Sequence, residues 1–201
     1  MIRVLLAEDQ AMVRGALVAL LSLEADITLV AEVARGDDVV PAALQTQPDV
    51  ALLDIELQGS DGLAAATALR ELFPTCRVIM VTTFGRGGYL RRAMDSGAVG
   101  FLLKDAPAAE LASAIRRVMA GERVVDPGLA LTALGDGSNP LTPREREVLA
   151  AAAYGATLAD VAAALVLSEG TVRNHLSTAI QKLGVRNRVE AARLAEQKGW
   201  L

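Results

Sequence analysis

The stretch VALLDIELQGSDG, residues 50–62, decides the fold of the first half of this chain. A short apolar run ends on Asp54, and a Gly-Ser-Asp-Gly turn follows within a few residues. Apolar runs of this length bounded by turn residues read as strands, here Val50–Asp54. Similar runs lie on either side at Ile2–Ala7, Ile27–Val33, Val78–Thr82 and Gly100–Leu103. Between them fall segments with helical spacing of apolar residues, among them Met12–Leu23, Leu63–Leu72 and Ala108–Ala120. Strand and helix alternate five times, which predicts right-handed crossovers and a doubly wound, five-stranded parallel sheet with helices on both faces.

After Gly121 the alternation stops. The stretch ERVVDPGLALTALGDGSNP mixes Pro, Gly, Asp, Ser and Asn around a short apolar piece, and residues 122–139 read as a linker. From Leu141 onward the pattern is helical. Thr142 as N-cap, Pro143 at the first helical position and Glu145 three residues past the cap make a capping box. Gly155, Gly184 and Gly199 supply later stops, so helices are expected at about Pro143–Tyr154, Leu158–Leu165, Glu169–Leu183 and Val189–Lys198. The expected organisation is an α/β domain over 1–121, the linker, and an all-α four-helix domain over 140–201.

Composition narrows the classes. A chain of 201 residues with 52% hydrophobic content can bury a core, which excludes wholesale disorder. Its one cysteine, Cys76, cannot close an internal disulfide, and MIRVLL runs into Glu8 and Asp9 without the features of a secretory leader. No segment approaches the roughly 18 apolar residues of a membrane span. A cytoplasmic protein with no membrane partner is expected. The net charge of −4 is unevenly spread: residues 1–121 carry −4, whereas residues 140–201 carry +2. The small C-terminal domain is the relatively basic one.

Open parallel sheets bind ligands beyond the carboxyl ends of their strands. In this sequence those ends carry Glu8 and Asp9 on the first strand, Asp54 on the third, Thr82 on the fourth and Lys104 just past the fifth. Three convergent carboxylates repel one another unless a hard cation sits among them, and Mg²⁺ suits such oxygen ligands. A carboxylate beside Mg²⁺ can attack phosphorus to give an aspartyl phosphate, with the cation and a lysine offsetting charge on the transferring oxygens. The Thr82 hydroxyl could donate to the new phosphoryl group. Acids at strand ends also simply cap helices or face solvent, but suitable residues at successive strand positions argue against that for the set.

Residues VLLAEDQ, LLDIELQGSDG, VTT and GFLLKD resemble the receiver domain of bacterial two-component response regulators, a flavodoxin-like fold, over residues 1–121. The resemblance implies Asp54 as phospho-acceptor and Glu8 and Asp9 as metal ligands, with the Glu56 backbone carbonyl completing the Mg²⁺ site. It also implies Thr82 and Lys104 as phosphate-sensing groups, and Phe101 as an aromatic switch that packs inward once Thr82 moves. The sequence departs from the family's pattern after Asp54, where Leu57-Gln58 stands in place of the usual Met-Pro. Proline pre-sets a turn, so its absence predicts a looser loop.

Segment 157–183, TLADVAAALVLSEGTVRNHLSTAIQKL, reads as helix, tight turn, helix, with Ser168 capping the second. On that helix Val172, Leu176, Ala179, Ile180 and Leu183 share one stripe, and Arg173, Asn174, Ser177 and Gln181 lie opposite. Arg and Asn suit the edges of guanine and adenine in a major groove, and short hydroxyls tolerate close approach. Lys182, Arg186 and Arg188 suit phosphates. An isolated helix of this kind would more simply be amphipathic with a solvated face. In context, LTPREREVL followed by GATLADVAAALVLSEGTVRNHLSTAIQKLGVRNRVEA closely resembles the four-helix DNA-binding domain of LuxR/NarL/FixJ regulators. That resemblance implies a recognition helix over about Glu169–Leu183, with Arg173, Asn174 and Ser177 at the groove. His175, the sole histidine, has no companion to form a zinc site and sits beside this face, and Trp200 is expected to pack against the last helix.

The two resemblances together imply a sensor histidine kinase as phosphodonor, homodimerisation on phosphorylation, promoter DNA as target and RNA polymerase as a further partner. The stretch from EGTVRN to QKGWL especially resembles regulators that control a fatty-acid desaturase and pair with kinases sensing membrane fluidity. Two rivals stand beside this reading. A Mg-dependent phosphatase would use Asp54 with Glu56 as acid/base, though no nucleotide-binding motif is present and the Glu8-Asp9 pair fits a receiver better. A pure interaction module would lack affinity for DNA even at low salt. The expectation is a regulator rather than an enzyme.

Overall fold

The computed structural model describes residues 1–83, 87–135, 139–153 and 155–201. Two compact units make up the chain, one built on a parallel sheet and the other including residues 131–201. In the first unit β1 (Ile2–Ala7), β2 (Ile27–Val33), β3 (Val50–Leu53), β4 (Arg77–Thr82), β5 (Gly100–Leu103) and β6 (Val124–Val125) form one sheet in the order β2-β1-β3-β4-β5-β6. Every pairing is parallel. The helices are α1 (Ala11–Ser22), α2 (Val39–Thr46), α3 (Gly62–Leu72), α4 (Gly87–Asp95), which belongs to this unit from Leu90 onward, and α5 (Ala108–Met119). A one-turn 3-10 helix, Gly36–Asp38, leads into α2.

The inner strands are mostly apolar and buried because helices cover both faces of the sheet, whereas the edge strand β2 is mostly half-buried. β3 is fully buried along its length, as are Ile79, Met80 and Phe101 on the neighbouring strands. Leu111, Ala112, Ile115 and Val118 of α5 join one core cluster with strand residues Val4, Leu52, Ile79 and Leu102. Strand order reverses between β1 and β3, so the crevice at their carboxyl ends is the place for a ligand.

Five strands are legible in the sequence and six are present among the described residues. The sixth, β6, pairs Val124 and Val125 with Gly100 and Phe101. Two residues carry no periodicity; the exposed edge of β5 makes them a strand, not their own pattern. The stretch expected as linker also holds α6 (Pro127–Gly135). Asp126 Oδ1 accepts the Leu129 N–H at 2.9 Å, and Pro127 takes the first helical position, where a missing N–H goes unneeded. Residues 136–138 of that stretch lie outside the described residues.

The second unit contains α7 (Pro143–Ala152), α8 (Leu158–Leu165), α9 (Glu169–Leu183) and α10 (Arg188–Gln197). The Thr142–Glu145 capping box forms as the sequence predicts, and Thr157 with Asp160 makes a second one at α8. Tyr154, expected as the last residue of the first of these helices, lies outside the described residues. Val148, Leu149, Val161, Val172, Leu176, Ala179, Ala191 and Ala195 form the core, with Trp200 packed against it as expected. Ser168 Oγ caps α9 by accepting the Thr171 N–H at 3.1 Å, and Gly184, at φ +65°, ends it.

The turn between α8 and α9 is strained at one residue. Val166 adopts φ 53°, ψ 52°, a conformation that costs an L-residue roughly 1–2 kcal/mol, and its side chain is 91% exposed. No packing compensates for the strain. Replacing Val166 with Asn, which tolerates this region, is expected to stabilise the second unit by about 1 kcal/mol in urea unfolding. A loss of stability would mean that the valine side chain is engaged.

Candidate functional site

The carboxyl ends of β1 and β3 bring the acidic residues together. Glu8 follows β1, its N–H bonded to the Val33 carbonyl at 3.1 Å, and Asp54 follows β3, its N–H bonded to the Ala7 carbonyl at 3.0 Å. One carboxylate oxygen each from Glu8, Asp9 and Asp54 lies within 4.8 Å of the others. Lys104 reaches in from the end of β5, with Nζ 2.6 Å from Glu8 Oε2 and 2.9 Å from Asp54 Oδ2. Its N–H bonds the Thr82 carbonyl at 2.8 Å, so the β4–β5 ladder aims the side chain.

This cluster is largely out of water. Burial pushes the Glu8 carboxyl above the ordinary range, with Asp54 adding to that and Lys104 opposing it. For Lys104 burial works against the ammonium, yet its hydrogen bonds to Glu8 and Asp54 and their charges outweigh it and hold the group above the usual lysine range. A carboxylate triad of this spacing is the donor chemistry of a hard divalent cation, with Glu8, Asp9 and Asp54 as the groups able to hold one. Thr82 is buried at the end of β4, between Asp54 and Lys104 in sheet order. The Glu56 side chain is exposed.

The structure also places Phe101 and the loop that follows Asp54. Phe101 is fully buried on β5, in register with Met80 and Val125. β6 covers the edge on which it sits. The loop after Asp54, where Leu57-Gln58 stands in place of Met-Pro, is tied down by its backbone. Gln58 forms a parallel bridge with Arg35, its carbonyl accepts the Gly36 N–H at 3.0 Å, and the Gly62 N–H closes on the Ile55 carbonyl at 3.0 Å. The β2–α2 connection thus clamps the backbone of this loop at Gln58.

Residue types alone did not point to two of the supporting groups. Arg14 Nη1 donates to the Glu8 carbonyl at 2.7 Å and holds the acidic pair from α1. Gly36 is buried where an added Cβ would lie 1.7 Å from the Ser60 carbonyl oxygen. A glycine preceding an acidic pair at a strand exit is a faint signal of such an approach.

In the second unit, α9 buries Val172, Leu176 and Ala179 and exposes Arg173, Asn174 and Ser177, with His175 half-buried on its flank. The three cations expected at phosphates all have internal partners. Lys182 Nζ bonds Glu145 at 2.7 and 2.9 Å, Arg186 pairs with Glu190 at 2.5 Å, and Arg188 Nη1 donates to the Ala156 carbonyl at 3.0 Å. Burial alone would raise the Glu145 carboxyl, but Lys182 and Thr142 together hold it below the ordinary range.

A doubly wound sheet with a lysine-bridged acidic crevice, and a separate helix-turn-helix unit with an exposed Arg-Asn-Ser face, define a switchable DNA-binding regulator. Residues 4–116 match the response regulator receiver domain, and residues 139–195 match the bacterial regulatory proteins of the luxR family. The chain belongs to the response regulators that join these two parts, transcription regulators rather than enzymes. It is 47% identical over 201 residues to the uncharacterized transcriptional regulatory protein YvfU of Bacillus subtilis, covering 100% of each chain. It is 46% identical to the transcriptional regulatory protein DesR of the same organism, covering 100% of this chain and 99% of that one. Among solved structures it resembles the response regulator ChrA of a heme-sensing two-component system, with 33% identity, a TM-score of 0.59, and coverage of 100% of this chain and 98% of that one. Among the described residues no helix is long and apolar enough to cross a membrane.

Gly36→Ala is expected to lower the stability of the first unit by about 1–3 kcal/mol in urea unfolding, because backbone must move to admit the methyl group. An unchanged midpoint would show that the clamp yields freely. In the second unit, the lowered Glu145 value means that its contribution to stability is present at neutral pH and is lost as pH falls through that value. Stability measured from neutral to acid pH should therefore fall less steeply in Glu145→Gln than in the parent, and parallel curves would contradict the assignment.

Proposed function

We propose that Asp54 accepts a phosphoryl group from a sensor histidine kinase and that the phosphorylated chain dimerises and binds promoter DNA. The observation that carries this is the Lys104 ammonium set between Glu8 and Asp54 beside Asp9. Lys104 holds Oδ2 of Asp54, which leaves Oδ1 to attack phosphorus. An O–P bond forms as the P–N bond to the kinase histidine breaks, and the electron pair of that bond returns to the imidazole. Mg²⁺ held by Glu8, Asp9, Asp54 and the Glu56 carbonyl would offset charge on the transferring oxygens. Lys104 remains beside the product as its counter-charge, and Thr82, buried one strand away, supplies a hydroxyl to a phosphoryl oxygen.

The added charge and acceptors then bias the β4–β5 end of the sheet. The bias acts on a two-state element around Thr82, Phe101 and the helices α4 and α5. We read residues 1–121 as the receiver, 122–139 as the connection and 140–201 as the DNA-binding domain. Paired copies present two recognition helices, with Arg173, Asn174 and Ser177 toward base edges, to half-sites about one helical turn or a multiple of it apart. The operator is then roughly palindromic. RNA polymerase is the downstream partner, the location is cytoplasmic, and the likeness of the EGTVRN–QKGWL stretch to desaturase regulators supports a membrane-fluidity input.

Footprinting on genomic DNA, with and without a small-molecule phosphodonor, tests this reading. Protection by the parent should strengthen on phosphorylation and weaken steeply with salt, and Asp54→Ala should lose the phosphodonor response. Identical affinity in parent and mutant, with no response to the donor, would remove the switch.

A further inference from the structure

The ion pair between α7 and α9 gives Lys182 a task other than meeting a DNA phosphate. Glu145 is only 5% exposed, so its charge needs partners inside the unit. Its Oε2 accepts the Thr142 N–H at 2.8 Å and Lys182 Nζ at 2.7 Å, and its Oε1 accepts Lys182 Nζ at 2.9 Å. One carboxylate thus closes the cap of α7 and grips the last turn of α9, 37 residues away in sequence.

The direction of the side chain agrees. With 3.6 residues per turn, Lys182 lies about 130° round α9 from the middle of the Arg173–Ser177 face, on the flank of the stripe that holds buried Ala179. Helix dipoles favour both charges where they stand, an anion in the first turn of α7 and a cation in the last turn of α9. Removing either partner strands the other, and a nearly buried carboxylate with only its cap bond is the costlier remnant.

We propose that Lys182 is a positioning residue: its ion pair with Glu145 fixes the seat of α9 on α7 and so sets the angle at which Arg173, Asn174 and Ser177 meet the groove. This rests on the reading of α9 as the helix that enters the groove.

The test measures affinity of the full chain for a footprinted site as a function of salt, at a temperature where circular dichroism shows each variant folded. Lys182→Met is expected to weaken binding about tenfold while the slope of log affinity against log salt stays at the parent value. Loss of a phosphate contact would instead make that slope shallower by about one. Glu145→Gln keeps the lysine charge and the helix cap, and is expected to weaken binding to a similar extent. The double variant should be no worse than either single one, and Lys182→Arg should restore most of the affinity. If Lys182→Met does not fold, Glu145→Gln decides alone: affinity and salt slope equal to the parent would overturn the proposal, as would a shallower slope in Lys182→Met. A parent chain with no salt-dependent affinity for DNA would instead fail the reading of α9, a result separable from these.

Discussion

Everything in the first unit answers to the problem of holding three carboxylates within a few ångströms of one another. Like charges at that separation cannot all remain ionised away from water without a counter-charge. The sheet supplies one by geometry: β1 and β3 are neighbours, β4 separates β3 from β5, and Lys104 leans across from the end of β5 to touch Glu8 and Asp54 together. The crossover connections that allow this also bury β3 and most of β1, β4 and β5, which is why those runs are mostly apolar up to their carboxyl ends. The chemistry sits where the apolar run stops.

The second unit repeats the device at smaller scale. Glu145, almost wholly covered, takes its counter-charge from Lys182 on another helix, and Arg144 Nη2 adds a bond to the Leu165 carbonyl at 3.0 Å that ties α7 to the end of α8. Paired buried charges add little net stability over well-packed apolar side chains, but breaking one leaves the remaining partner exposed to a large penalty. Their effect is to make one arrangement of elements much better than its neighbours. In both units a lysine from a later element fixes an acid on an earlier one.

Much of this was legible in the sequence because it rests on local pattern. The five longer strands, the capping box at Thr142 and the stripe on α9 are written in apolar spacing and in cap residues, and the acidic crevice follows from which residues end the strands. The features that escaped depend on partners distant in the chain. β6 exists because β5 has an edge, and the Gly36 clamp because Gln58 and Ser60 pass close by. Lys182 reads as a phosphate ligand from charge alone, and only the burial of Glu145 shows where its ammonium goes.

The central claim, that the bridged carboxylate at the end of β3 is the acceptor, is tested most directly by the mass of the intact protein after incubation with a small-molecule phosphodonor and Mg²⁺. The expected result is the gain of one phosphoryl group, labile to hydroxylamine as an acyl phosphate, abolished in Asp54→Asn and by chelation of the metal. A hydroxylamine-stable adduct, or an equal gain in Asp54→Asn, would contradict it.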